Sequence, residues 1–402
     1  MPVAVRQRAR LPAWLLALVF TTFAFATDDY VIAGVLPAIS ADLGVSQAAG
    51  GQLVTAFSLA FALAAPVASV VTATWPRRGL ITGALALFVV ANWAAAFTTS
   101  YALLMGLRVL AAVAAAAVVP AAYAIAATLA PDGRQGRYLA LVMGGLTGSL
   151  ALGVPIGTWV GGAFGWQATF VAGGALGLVA LVAIRATLPE TPPVPAMPIR
   201  DRLAPLARPQ VLLGLLGIVA IVLGSMMVLT YLAPFLHDLA GAGPGELGWV
   251  FVLAGVAGFA GGQLGGRAAD RWGADRALVV GVAGFAGVMA VLSVCWLLGP
   301  VPLVAVLPLL VVWAGVSWWI PPPAQTRLLA LAGPAGPQAL ALNSSAVYVG
   351  VSGGGAVGGL VLAGHGSGWL PAVAAGVEVV ALALFWLAGR RFQSAGTSAP
   401  WR

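Results

Sequence analysis

Two adjacent acids, Asp28 and Asp29, lie in the stretch from Thr22 to Ser40 (TFAFATDDYVIAGVLPAIS), inside an apolar run long enough to cross a bilayer. Ionisable side chains at that depth are expensive, and such groups mark ion or substrate pathways. A third, Arg108, is embedded in the run 101–130. An acid near a fixed cation is a device for exchanging protons, because desolvation favours the neutral carboxyl whereas an Arg within about 6 Å favours the carboxylate. A structural change that alternates those two surroundings couples proton binding to the change. Asp29 is the leading candidate for the coupling acid, Asp28 stands beside it, and Arg108 is the expected partner. The plainer alternative is a static ion pair or a local helix cap.

The elements that must hold these groups follow from composition. The 402 residues are 61% hydrophobic and 7% charged, with a mean hydropathy of +1.01. A soluble domain averages about 25% charged residues, so the solvent here is mostly lipid. At about 20 residues per ~30 Å crossing, the chain has room for roughly twelve helices. Barrel strands would alternate apolar and polar positions, which these runs do not. The expected spans are 13–37, 48–73, 80–98, 101–130, 138–162 and 167–188, then 211–236, 245–268, 277–298, 301–327, 338–364 and 368–389. The single Cys295 excludes an intrachain disulfide. The net charge of +8 is spread over short loops, which argues against a nucleic-acid partner and for a membrane topology.

That topology is read from arginine. There are no lysines, and arginines 6, 8, 10, 77, 78, 134, 137, 185, 200, 202, 208, 267, 271, 276, 327, 390, 391 and 402 all fall at span ends on one side. Basic residues accumulate on the cytoplasmic side, so both termini are expected there. The N-terminal arginines followed by Ala24-Phe25-Ala26 also fit a cleavable signal peptide. A repeat argues for retention: Arg78 and Arg276 are 198 residues apart, and so are the span starts Ala13 and Val211. The expected organisation is therefore a six-helix half over 1–188, a Pro-rich cytoplasmic linker over 189–210 and a second half over 211–402. Two such halves with a site between them near the midplane are a known transporter plan. Counting at ~1.5 Å per residue puts Asp29 roughly 7 Å and Arg108 ~5 Å to the outer side of the midplane, at similar depth.

In the second half, Gly266-Arg-Ala-Ala-Asp270-Arg271-Trp-Gly273-Ala-Asp-Arg276 resembles the loop 8/9 signature of the major facilitator superfamily, and within it of drug:proton antiporters with twelve spans. The first-half counterpart, Thr72-Ala-Thr-Trp-Pro-Arg77-Arg78, has Thr72 where that family usually has Asp. The Trp-Pro-Arg-Arg form and the acid, aromatic, Ala-Gly and Pro37 pattern of span 1 look most like bacterial chloramphenicol and arabinose-type exporters. Arg108 matches the family's Arg in span 4, although alanines replace the Gln and Gly that follow it there. Gly153, Pro155 and Gly157 in span 5 are similar to the antiporter motif, with ordinary tight packing as the alternative.

The resemblance implies an all-α membrane protein with twelve transmembrane helices in two pseudo-symmetric halves, the major facilitator fold. It implies a monomer of the bacterial cytoplasmic (inner) membrane, driven by the proton gradient without a cofactor or metal, and exporting small, partly hydrophobic molecules. A metabolite or sugar importer of the same superfamily is the alternative. Arg77, Arg78, Gly266, Asp270, Arg271, Gly273 and Arg276 would then serve gating, and Tyr30, Tyr123, Tyr231, Trp318, Trp319, Asn343 and Tyr348 would line the substrate cavity. Glu378 falls in span 12, whose helix faces lipid in this architecture, so a structural role is expected.

Enzyme signals do not survive their context. Gly350-Val-Ser352-Gly-Gly354 spells a nucleophile elbow and Gly353 to Gly358 a dinucleotide fingerprint, but both lie within one apolar span without the required strand-turn-helix unit. His237 and His365, the two histidines, are expected in outer-side loops, and no Cys/His cluster or P-loop occurs.

Overall fold

The computed structural model describes residues 11–131, 134–190, 200 and 203–396. Within them the chain forms twelve spans. The first is α1, Ala13–Tyr30 and Ile32–Asp42, bent by 43° at Val31. Helices α2 (Gln47–Val71), α3 (Arg77–Ala96) and α4 (Tyr101–Thr128) follow. Helix α5 runs from Gln135 to Gly148, through a π turn at Ser149–Gly153, and on as Val154–Phe164; α6 is Trp166–Thr187. The second half comprises α7 (Pro209–Thr230 and Leu232–Ala240), α8 (Pro244–Trp272) and α9 (Ala274–Leu297). It ends with α10 (Leu303–Trp319 and Pro321–Ala332), α11 (Gly336–His365) and α12 (Leu370–Gly396).

The interruptions have local causes. Pro234 cannot donate to Thr230, so α7 breaks at Tyr231, and three consecutive prolines from Pro321 do the same to α10 at Ile320. Pro155 likewise ends the i to i−4 ladder of α5; the ladder shifts to a π turn in which the Val154 N–H reaches Ser149 O. Helix α8 carries the loop 8/9 signature as helix up to Trp272, leaving Gly273 (φ 85°) alone as the connection to α9. His237 and His365 lie in helices α7 and α11, not in loops. Arg6, Arg8, Arg10, Arg202, Arg402 and the linker residues 191–199 lie outside the described residues.

Packing repeats between the halves. Helix α1 packs on α5 and α6 as α7 packs on α11 and α12; α2 packs on α4 as α8 on α10; α3 packs on α6 as α9 on α12. The halves meet along two further seams, α2 with α11 and α5 with α8, which are images of each other under the same exchange. Each seam is lined with glycine. A Cβ at Gly255 of α8 would strike the backbone of Ala151, and one at Gly355 of α11 would strike Thr55. Within the first half, Cβ atoms at Gly153, Gly157 and Gly161 would collide with Thr27, Val31 and Val35 of α1. Small residues four apart thus let α5 cradle α1 through its bend.

Hydrogen bonds join the halves on the side away from the chain termini. Tyr231 Oη, which donates to Gly355 O of its own half (2.8 Å), reaches Ala48 O of α2 at 3.4 Å, while Gln52 Nε2 donates to Gly355 O (3.4 Å) and Trp159 Nε1 to Gly245 O (3.3 Å). On the termini side, the first part of α5 diverges from α8, whereas its second part and the π turn stay packed against it.

Overpacking a tight helix contact costs about 1–3 kcal/mol. Gly157→Leu is therefore expected to lower the melting temperature of detergent-purified protein, whereas Gly144→Leu, where an added Cβ meets nothing within 4 Å, leaves it unchanged. Equal melting of both variants would show that α5 does not cradle α1.

Candidate functional site

The α1 bend places its two acids at the end of the first helical segment, directly before Val31. Both are buried, as is Arg108 on the neighbouring α4. Arg108 Nη1 donates to Asp28 Oδ2 at 2.6 Å, and Nη2 stands 3.9 Å from Asp29 Oδ1. The guanidinium also lies over the Phe57 ring of α2, 4.4 Å from its centroid. A buried charge must be paired where it lies, and a cation over an aromatic face recovers part of its lost hydration. One cation thereby holds α1, α2 and α4 together.

The two acids are not equivalent. Asp28 takes the short charge-assisted bond and faces Asn92 of α3 and Gly173 of α6. Asp29 makes no hydrogen bond through either oxygen among the described residues, and neither do Arg108 Nε and Nη2. The expected partnership between Asp29 and Arg108 is thus a looser contact than that of Asp28. Sequence reasoning missed Asn92 and Phe57; an amide inside an apolar span was the available signal for the first, and nothing distinguished the second from other core aromatics.

Tyr30 of α1 and Tyr348 of α11 lie within electrostatic reach of Asp29, and Tyr123 of α4 within reach of both tyrosines. Tyr348 also stacks on Phe61 of α2 across the seam, with centroids 3.7 Å apart. Asn343, five residues earlier on α11, is buried with no hydrogen-bond donor to its Oδ1 among the described residues. Trp318 lies against Gly258 and lines a crevice of about 40 Å³ between α5, α7, α8 and α10, together with Thr147, Ser225 and Trp313. Tyr231 is placed elsewhere, fully buried in the contact that closes the side away from the termini. Trp319 points to the α8–α9 connection, donating to Ala277 O (2.9 Å) beside Trp272.

At the helix ends of the termini side, Arg78 donates to Arg185 O and lies 3.8 Å from Glu190. Arg77 donates to Ala73 O (3.4 Å). Thr72 spends its hydroxyl on its own helix at Ala68 O. In the second half, Asp270, Arg271 and Arg276 are exposed, and the ion pair of that region is Arg327 with Asp275 at 2.9 Å. Gly266 lies in α8 with its nearest neighbour Pro322 at 3.9 Å from an added Cβ. No group of three or more His, Cys, Asp or Glu arranged for a metal occurs among the described residues.

Removing one partner of a buried ion pair costs roughly 3–5 kcal/mol, mainly through the charge left behind. Arg108→Ala is expected to be strongly destabilising, Arg108→Ala with Asp28→Asn to recover part of that loss, and Asp29→Asn alone to cost far less. Thermal unfolding in detergent ranks the three; a double variant no better than Arg108→Ala contradicts the pairing.

The geometry is matched by similarity to known proteins. The profile described as Major Facilitator Superfamily fits residues 18–336. The chloramphenicol resistance protein of Streptomyces lividans is 35% identical over 385 residues, covering 93% of this chain and 94% of that protein. The inner membrane transport protein YdhP of Escherichia coli (strain K12) is 31% identical over 384 residues, 94% of this chain and 96% of that one. The crystal structure of a D-xylose-proton symporter superposes with a TM-score of 0.74 at 16% identity, covering 93% of this chain and 97% of the symporter. With a profile match over most of its length and relatives above 30% identity along nearly all of it, the chain belongs to the major facilitator superfamily, as a multi-pass membrane transporter.

Proposed function

We propose that this transporter is a proton-coupled exporter of small, partly hydrophobic molecules, working by alternating access between its two halves. The observation that carries the reading is the buried triad on α1 and α4: Asp28 bonded to Arg108 at 2.6 Å, and Asp29 at 3.9 Å with both oxygens unbonded. One acid anchors the cation while the other is left to gain and lose a proton. Asp29 is thus the coupling acid, and Asp28 the group that keeps Arg108 in reach. Tyr30 and Tyr348 near Asp29, with Tyr123 next to them, offer aromatic faces with polar tips, suited to a partly hydrophobic solute.

With the termini assigned to the cytoplasm on the arginine distribution, the closed contacts at Tyr231 and Trp159 are the outer gate. The divergence of α5 from α8 then opens the cavity inward, and the protein is a monomer of the bacterial inner membrane. The similarity to a chloramphenicol resistance protein supports export and makes chloramphenicol the first compound to try. A sugar or metabolite carrier is the second reading, favoured by the likeness in fold to the xylose symporter.

Reconstitution in liposomes with an internal pH dye tests the proposal. Added chloramphenicol is expected to drive proton movement in wild-type protein, and Asp29→Asn to abolish it while leaving chloramphenicol binding within a few-fold. Uphill, proton-dependent transport by Asp29→Asn at the wild-type rate would sink the assignment of the coupling acid. Proton movement with pentoses and none with chloramphenicol would favour the second reading.

A further inference from the structure

The seams α1–α6 and α7–α12 correspond under the exchange of halves, and each holds a buried acid. In the first it is Asp28, facing Gly173 of α6. In the second it is Glu378 of α12, turned away from lipid onto α7 at 0% exposure. A Cβ added at Gly224 would lie 3.1 Å from its Oε1. Ser225 Oγ donates to Oε1 in a long bond of 3.4 Å, and Oε2 has no partner among the described residues.

Unlike Asp28, this acid faces no cation among the described residues. Arg327 of α10 approaches α12 at Gly389, eleven residues and so ~16 Å along the helix. Arg208 precedes α7, while Asp275 and Arg276 begin α9 on the termini side and Cys295 stands at its other end. On α11, Tyr348 is stacked on Phe61 and His365 ends the helix, and Tyr231 of α7 is bonded to Gly355 O of α11. A carboxylate at this point would have one weak donor and no counter-charge; the neutral acid could turn its O–H to the Ser225 hydroxyl only over the same long 3.4 Å. Neither protonation state is satisfied by the packing, which is unlike a settled structural hydrogen bond.

Ser225 is also a wall of the crevice shared by Thr147, Trp313, Ser317 and Trp318. A hydroxyl both donates and accepts, so it can pass a proton by turning. We propose that Glu378 is a second proton-binding site, loaded from and emptied into the α5–α7–α8–α10 crevice through the Ser225 hydroxyl. Loading forms one O–H bond on the carboxylate as the Ser225 hydroxyl gives up its proton and takes one from a hydronium ion in the crevice, which is left as water; unloading reverses each transfer. The inference rests on the proton-coupled reading above and extends it to the second half.

Infrared difference spectroscopy on the full chain in liposomes, with pH as the only perturbation, reads this group directly. Wild-type protein is expected to show a protonated-carboxyl band that bleaches as pH rises and is missing from Glu378→Gln. Ser225→Ala, which keeps the acid, is expected to shift the band and slow its hydrogen–deuterium exchange several-fold. A band unchanged in Glu378→Gln, one that ignores pH, or exchange unaffected in Ser225→Ala would each overturn the proposal. Because no substrate enters the measurement, the result stands apart from whether Asp29 drives transport: loss of chloramphenicol-driven proton movement in wild type would defeat the exporter reading while leaving the band to decide Glu378.

Discussion

A guanidinium placed inside a lipid-facing bundle must be neutralised where it stands, because its hydration cannot follow it there. Arg108 meets this constraint with three helices at once: a carboxylate from α1, an aromatic face from α2 and its own α4. Much of the first half follows. Helix α1 has to present its acids at the depth of Arg108, and it bends immediately beyond them. Helix α5 has to accommodate that bend, and it does so with a π turn and a row of glycines against Thr27, Val31 and Val35. The short bond to Asp28 satisfies the cation only in part, and the remainder of its field falls on Asp29.

The second half shares the architecture without sharing the charge. Its equivalent of α1, helix α7, also breaks before its last segment, but the cause is Pro234 and the residue at the break is Tyr231, which is spent on closing the seam. Its buried acid comes from α12 and has a serine in place of an arginine. Two copies of one packing plan have therefore diverged in electrostatics while keeping their helix contacts.

Much of this was legible in the sequence. Twelve runs, one-sided arginines and a 198-residue offset depend on hydropathy and charge, which lipid enforces strictly. Depth arithmetic brought the acids of α1 level with Arg108 for the same reason: a helix has a fixed rise. Rotation about the helix axis was beyond it, so Asp29 was ranked first for coupling without sign that Asp28 would take the short bond, and the 2.6 and 3.9 Å separations from Arg108 emerge only from packing. The ion pair of Asp275 with Arg327 was hidden similarly, because it joins two helices far apart in the chain. Glu378 was read as belonging to a lipid-facing helix; its burial against Gly224 depends on which face of α12 turns inward.

The glycine seams α2–α11 and α5–α8 also say something about how the halves move against each other. Where backbone meets backbone, as Gly255 meets Ala151, few side chains interdigitate, and sliding there disturbs little specific packing. Such a contact behaves as a plain bearing instead of a set of gear teeth. The teeth are few: the Tyr348–Phe61 stack along α2–α11 and, at one end, the Tyr231 ring over Gly51 and Trp159 over Gly248. A molecule built this way has its resistance to rocking set by a few aromatic contacts and not by the length of the interface, so a change of one ring can alter the pace of the whole cycle while the bundle around it stays the same.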